Sequence, residues 1–325
     1  LGCGGHVGAV VAACSPARQG RARVRGLGGL GRAIAHELAR RGCRVAVCAR
    51  SEADLAVLRD ELTRRGADVY VEACDLRDEA QVDALVSNVT TRLGPIDVLV
   101  ANAATISVGP LETMRARDFK ETMATTFDTA LHPALAVVAR MRARRSGTIA
   151  FITSIGGRIG VPHLAPYCAA KFAEIGFAEA LAAEVARDGV HVLTVVPGLM
   201  RTGSPVHGEF RGSPEKEYAW FAASANAPIL SMDAERAARR IVSAISRGRS
   251  ELVFTLPARI VARTHGLVPG LWREVMRIAG RLLPRAPARP QVREGLEVER
   301  TSRSRVVEAV SRRGRRYAVR HGQIA

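Results

Sequence analysis

From Gly29 onward the chain repeats one unit, a short unbroken apolar run followed by a helix with a single apolar face. That rhythm restricts the possible folds more than any other property of the sequence. Leu30, Ile34, Ala35 and Leu38 recur at helical spacing and stop at Gly42, a residue suited to ending a helix. Residues 43–49 then read as a continuous apolar strand. Ser51, with Asp54 three residues later, opens a helix that runs to Arg65. The pattern continues with a strand at 69–74, a helix at 78–93 and strands at 96–101, 148–153 and 191–196. Strands without polar alternation are buried on both faces, as in a parallel sheet covered by helices. The expected fold class is therefore α/β, a single doubly wound parallel sheet in three layers (α/β/α) with a C-terminal helical extension. Ligands of such folds sit outside the carboxyl ends of the strands.

Ser154 stands at the end of one such strand, and thirteen residues beyond it begins Tyr167-Cys168-Ala169-Ala170-Lys171. Tyrosine and lysine four apart on a helix stand one turn over each other, so the ammonium lies beside the phenol. A phenol titrates near ~10 in water, and the adjacent cation is expected to lower that value. A strand-end hydroxyl facing the pair would grip a carbonyl oxygen while the phenol protonates it. Only three lysines occur (Lys120, Lys171, Lys216), which makes the spacing more telling. The competing reading is an exposed tyrosine and a solvated lysine on a surface helix.

A serine followed by YxxxK at this separation resembles the active site of the short-chain dehydrogenase/reductase (SDR) family, and the fold it implies is of Rossmann type. The resemblance runs along successive strand ends over residues 29–202. Gly29-Leu30-Gly31 is similar to the end of the family's TGxxxGxG phosphate loop, where glycines let backbone N–H groups approach a pyrophosphate at a helix N-terminus. Arg50, with Ser51 beside it, takes the place of the acid found in NAD-preferring relatives. A guanidinium suits a 2′-phosphate, so NADP(H) is expected over NAD(H); the alternative is an arginine pointing to solvent. Asp75-Leu76 looks like the adenine-contacting segment and Asn102-Ala103-Ala104 like the NNAG segment. Pro197-Gly198-Leu199-Met200-Arg201-Thr202 matches PGxxxT, whose turn borders the nicotinamide and whose threonine bonds its carboxamide.

What the resemblance implies is reversible hydride transfer between a nicotinamide ring and a carbonyl or secondary alcohol. Tyr167 would be general acid or base, Lys171 would lower its pKa and bond the nicotinamide ribose, and Ser154 would polarise the carbonyl. The apolar Trp220-Phe221 and Ala227-Pro228-Ile229-Leu230 favour a hydrophobic substrate. Relatives commonly assemble, so a homodimer or homotetramer is expected.

Two departures stand against the family pattern. The leading Thr-Gly of the phosphate loop falls on Val24-Arg25, and the text before Gly29 is the arginine-rich stretch 16–23. The apolar run 8–14 lies too far from Gly29 for a tight strand-to-helix turn. The arginine-rich text is implausible as a central parallel strand, and the expectation is that residues 1–25 are not the native N-terminus. Within the helix expected at 117–141, the family's asparagine, which holds a water of the proton relay, is replaced by Thr126. A threonine hydroxyl has one donor instead of two, so Thr126 predicts a slower relay. Together the departures keep open an alternative, a nucleotide-binding SDR-like protein with impaired or no catalysis.

Of the formal charge of +17, much sits at the ends: residues 1–25 carry four arginines and no acid, and 286–325 carry ten arginines against four glutamates. Arginine supplies 45 of the 48 basic residues, and Tyr317 is the sole aromatic within these terminal clusters, which argues against nucleic-acid binding. The six cysteines contain no CxxC pair, so packed thiols are expected and no metal. No apolar run reaches the length of a membrane span, and no basic segment precedes the apolar run 7–14 as in a signal peptide. The expected location is cytoplasmic, with peripheral membrane contact through an amphipathic extension at 257–284. The organisation expected is thus an atypical segment 1–25, a Rossmann-fold domain 26–256, that extension, and a basic, disordered tail 285–325.

Overall fold

The computed structural model describes residues 8–12, 29–201, 204–225 and 231–302. The order is β1 (Gly8–Ala12), α1 (Gly29–Arg40), β2 (Arg44–Ala49), α2 (Glu52–Thr63), β3 (Val69–Ala73), α3 (Glu79–Leu93) and β4 (Ile96–Ala101). The short β5 (Ser107–Val108) precedes α4 (Ala116–Met123), α5 (Thr129–Arg144), β6 (Gly147–Ile152), α6 (Ala165–Val185) and β7 (Val190–Val196). Next come β8 (Leu199–Arg201), β9 (Glu209–Gly212), α7 (Pro214–Ala225), β10 (Ser231–Asp233), α8 (Ala234–Ser246) and β11 (Glu251–Val253). The C-terminal part holds α9 (Leu256–Thr264), α10 (Pro269–Leu282), β12 (Gln291–Glu294) and α11 (Gly295–Thr301).

Seven strands form one parallel sheet in the order β11-β7-β6-β4-β1-β2-β3. Successive residues of each strand go to opposite faces, which is why unbroken apolar runs are needed. Val45, Val47 and Ala49 pack with α1, α2 and α8, whereas Ala46 and Cys48 join Leu85, Ala134 and Leu181 from α3, α5 and α6 on the other face. This is the expected three-layer α/β/α arrangement. The chain reverses direction across the sheet between β1 and β4, so the crevice for a ligand opens at their carboxyl ends. The helix start read at Ser51 is borne out, its hydroxyl accepting from the Asp54 N–H at 3.3 Å, and Asp78 caps α3 in the same way, accepting from Ala80 and Gln81 at 3.0 and 3.2 Å.

Two expectations about the ends are corrected. Gly8–Ala12 is the central strand of the sheet, paired in register with β2 (Gly8 to Arg44 through Ala12 to Cys48) and with β4. The apolar run is therefore the missing first strand. The connection to Gly29, including Val24 and Arg25, lies outside the described residues. At the other end, residues 291–301 are folded onto the body: β12 pairs antiparallel with β9, which also pairs β5. Val298 is fully buried in a cluster with Phe210, Tyr218 and Phe221, and the Tyr218 hydroxyl donates to Glu299 at 3.0 Å. Burying one valine contributes about 2 kcal/mol, which adds to the β12–β9 pairing in holding a segment whose average composition is that of a tail.

The helix expected at 117–141 is interrupted. Between α4 and α5 the chain makes one π-helical turn, Ala124–Asp128. Such widened turns add a residue to the helical path and re-aim side chains at that point. Thr126 sits inside it.

Candidate active site

Ser154 follows β6 and caps a tight 3-10 turn, Ile155–Gly157, its hydroxyl accepting from the Gly156 N–H at 3.1 Å. The turn is fixed from two sides. The Ile155 N–H donates to the Pro197 carbonyl at 2.8 Å, tying it to the end of β7. Gly157 lies so close to α6 that a Cβ there would stand 2.6 Å from the Lys171 carbonyl oxygen, so only glycine admits this approach. The turn thereby brings Ser154 to Tyr167: a Cβ on Gly156 would stand 3.4 Å from the Tyr167 ring and 3.6 Å from Ser154 Oγ. Pro166 in the first turn of α6 pre-sets the helix that carries both Tyr167 and Lys171.

Lys171 is buried, and its Nζ donates to the Ile152 carbonyl at 2.9 Å and to Glu174 Oε2 at 2.6 Å. The three groups at 167, 171 and 174 share one helix face, as spacings of four and three require. Burial pushes the Tyr167 phenol above its ordinary value; the Lys171 ammonium and the nearby Ser154 hydroxyl pull it down without prevailing, and the Glu174 charge pushes it up further. Lys171 does pull the phenol down as expected, but burial, which the YxxxK pattern does not carry, outweighs it. Burial also lifts Glu174 from 4.5 to about 7, despite the pull of Lys171. Sequence reasoning missed Glu174. Its spacing from Lys171 on an otherwise apolar face was the available signal.

Thr126 is fully buried, and its hydroxyl accepts from the Thr105 N–H at 3.3 Å, just beyond β4. It therefore holds the loop that follows Asn102 and Ala103, the residues at the end of β4. Pro197 and Gly198 follow β7, and Gly198 is another forced glycine: a Cβ would meet the Thr255 hydroxyl at 2.6 Å. Thr202 lies outside the described residues.

At the far end of the same carboxyl edge, Gly29 opens α1 with φ 66°, a left-handed conformation suited to glycine, and Gly29, Leu30 and Gly31 are all buried. Arg50 and Ser51 follow β2. Asp75 is paired with Arg77 (Nε to carboxylate 2.9 and 3.0 Å), which holds its carboxyl below the usual range, with Arg50 adding to the effect. Leu76 is buried and its carbonyl bonds His132 at 3.0 Å. Arg50, Arg77 and Arg211 share a cavity of about 100 Å³ with the carboxylates of Asp118, Glu121, Glu209 and Glu294. One end of the edge thus offers a glycine-opened helix start and guanidinium groups, the other a hydroxyl, a phenol and an ammonium. This donor set fits a nicotinamide dinucleotide, phosphates at the first end and ring at the second.

Beside Tyr167 lies an apolar cluster of Val108, Leu164, Phe210, Phe221 and Val298, with Trp220 packed against it. A buried carboxylate, Glu217, takes the Trp220 Nε1–H at 2.7 Å and bonds His163 Nδ1 at 2.9 Å. His163 has φ 64°. Neither residue was singled out from sequence, because nothing in the spacing of 163 and 217 links them before the fold is known.

The matches with known proteins agree with this geometry. A protein of Streptomyces coelicolor named as a ketoacyl reductase is 37% identical over 176 residues, 54% of this chain and 67% of that protein. An NADPH-dependent pterin aldehyde reductase of Arabidopsis thaliana is 34% identical over 175 residues, covering 54% and 72%. The crystal structure of an actinorhodin polyketide ketoreductase with NADPH superposes with a TM-score of 0.63 at 28% identity, over 77% of this chain and 96% of that one. Since the family model for short chain dehydrogenases matches residues 23–207, more than half of the sequence, the chain belongs to the short-chain dehydrogenase/reductase family of oxidoreductases, which act on carbonyl and alcohol groups.

Proposed function

We propose that this enzyme is an NADPH-dependent reductase of a hydrophobic ketone or aldehyde, a ketoacyl chain being the substrate class its relatives' names favour. The observation that carries the reading is the convergence of Tyr167 and Ser154 on Gly156, set against an apolar cluster at the carboxyl edge of the sheet. The cofactor supplies the hydride when bound. Tyr167 donates its hydroxyl proton to the substrate oxygen as charge develops there, and Ser154 steadies that oxygen with its own hydroxyl. Lys171 keeps a positive charge beside the phenolate left behind. Glu174, titrating near neutrality, limits how strongly that charge acts. Thr126 fixes the loop after β4. Arg50 at the end of β2 supports NADP(H) over NAD(H), since a 2′-phosphate matches a guanidinium better than a ribose hydroxyl does. A homo-oligomer in the cytoplasm completes the reading; among the described residues no helix is long and apolar enough to cross a membrane.

A second reading, cofactor binding with little turnover, is favoured by one specific observation, the commitment of Lys171 to Glu174. Titration with NADPH and NADH, followed by turnover on a panel of hydrophobic ketones, separates the two. Replacing Tyr167 by Phe is expected to lower turnover by ~10³-fold, the scale of a lost general acid, while NADPH binding stays nearly intact. Turnover retained in that variant refutes the assignment of Tyr167. Binding without turnover on any ketone selects the second reading.

A further inference from the structure

The α9–α10 hairpin presents an apolar face that nothing covers among the described residues. Helix α10 has no buried residue. Leu271, Val275, Ile278 and Leu282 recur at spacings of four, three and four, which places them on one stripe. Leu282 is 82% exposed, Leu267 in the preceding turn 81% and Leu256 at the start of α9 70%. An apolar patch of this extent on a soluble surface marks an interaction site. The hairpin is nonetheless well built: Trp272 Nε1 donates to Thr264 Oγ1 at 2.9 Å and locks α10 onto α9.

Two contacts locate it. Thr255, which caps α9, is the residue a side chain on Gly198 would strike, so one end is rooted at the turn after β7. A Cβ on Gly280 would stand 3.5 Å from Pro162, beside His163 and five residues before Tyr167. The hairpin therefore lies at the rim of the substrate side of the site.

Its charge identifies the partner. Residues 256–285 contain six arginines (259, 263, 273, 277, 281 and 285) and one acid, Glu274, which is itself paired with Arg277. On α10, Arg273, Arg277 and Arg281 stand on a line of their own, away from the leucine stripe. A second copy of the chain brought face to face would set like charges against each other. An anionic phospholipid surface takes the leucines into its headgroup boundary and the arginines at its phosphates. We propose that the α9–α10 hairpin docks this enzyme on anionic membrane surfaces, with the mouth of the active site turned toward the lipid.

The test uses the full chain and two sets of vesicles, pure phosphatidylcholine and the same lipid with phosphatidylglycerol added. Co-sedimentation is expected to be at least ~tenfold greater with the anionic vesicles and to fall at high salt. Two variants, Leu271→Ser/Ile278→Ser and Arg273→Gln/Arg277→Gln, should each lose most of the binding. Their melting temperature and their turnover on a water-soluble ketone should stay unchanged, since these side chains are exposed and outside the site. Binding that survives both variants overturns the proposal and assigns the lipid contact to the arginines of 303–325. Absence of vesicle binding, with a dimer that the Leu271/Ile278 variant dissociates, also overturns it and assigns the face to a second copy.

Discussion

Glu174→Gln isolates the feature that most sets this active site apart from a bare Ser–Tyr–Lys arrangement. The carboxylate is fully buried, 2.6 Å from Lys171 Nζ, and is held at about 7 instead of 4.5. Such a displacement is a statement about stability. Below pH 4.5 the group is protonated in both folded and unfolded chains. Between 4.5 and 7 the folded chain keeps a proton that the unfolded chain has lost, so folding stability falls as pH rises. Above 7 both are ionised and the slope ends. The full displacement corresponds to at most roughly 3 kcal/mol. Glutamine has the same shape and can still accept from Lys171 Nζ, but it cannot titrate. Urea denaturation of both proteins at intervals from pH 5 to 8 should give a stability difference, wild type minus variant, that declines steadily toward pH 7 and then levels. The same substitution removes a negative charge that raises Tyr167. The acid limb of the pH profile for alcohol oxidation should therefore move to lower pH. Parallel stability curves, or a limb that stays in place or moves upward, refute the coupling of Glu174 to the catalytic pair.

The other expectations concern positions where the structure is specific. Gly157→Ala puts a methyl 2.6 Å from the Lys171 backbone oxygen, so the serine turn must retreat from α6. A loss of about 1–3 kcal/mol in stability is expected, with a fall in kcat larger than the rise in KM; an active, equally stable variant refutes the close-packing account. Arg50→Asp should raise KM for NADPH by at least ~tenfold while KM for NADH changes little, the pattern of a lost charge-assisted phosphate contact; equal effects on both cofactors show that Arg50 does not read the phosphate. Thr126→Asn should raise kcat a few-fold if a second side-chain donor completes the proton relay, and an unchanged kcat removes Thr126 from it.

Much of the fold was legible because it depends on patterns that local sequence carries. Apolar runs at 43–49 and 96–101 can be satisfied only between two helical layers, and β2 and β4 are found there. The site was legible for a related reason: in a doubly wound sheet, position at a strand end is position in the ligand crevice. What failed was inference from distance along the chain and from averaged composition. Gly8–Ala12 was set aside because a tight turn to Gly29 could not be drawn, yet a strand needs only its register with neighbours, which Val10 and Val11 find between β2 and β4. Residues 291–301 were counted with a tail because charge dominates the window, whereas a single valine and one Tyr–Glu hydrogen bond attach them to α7. The π-turn at Ala124–Asp128 has no periodicity signal, since it adds one residue to a helix and leaves the pattern on either side intact.

Glu174 shows why a motif and its chemistry have to be read separately. YxxxK places an ammonium one turn from a phenol, and that much depends only on helical geometry. The field at the phenol depends on everything else near the ammonium, and here a carboxylate three residues further on takes one of its protons in a hydrogen bond. Whatever binds at the carboxyl edge must share Lys171 with Glu174. When Glu174 is protonated, the lysine charge acts on Tyr167 undiminished; when it is ionised, the pair is nearly neutral and the phenol holds its proton more tightly. Since Glu174 changes state near pH 7, the same residues describe a competent reductase on the acid side of neutrality and a more reluctant base for oxidation just above it.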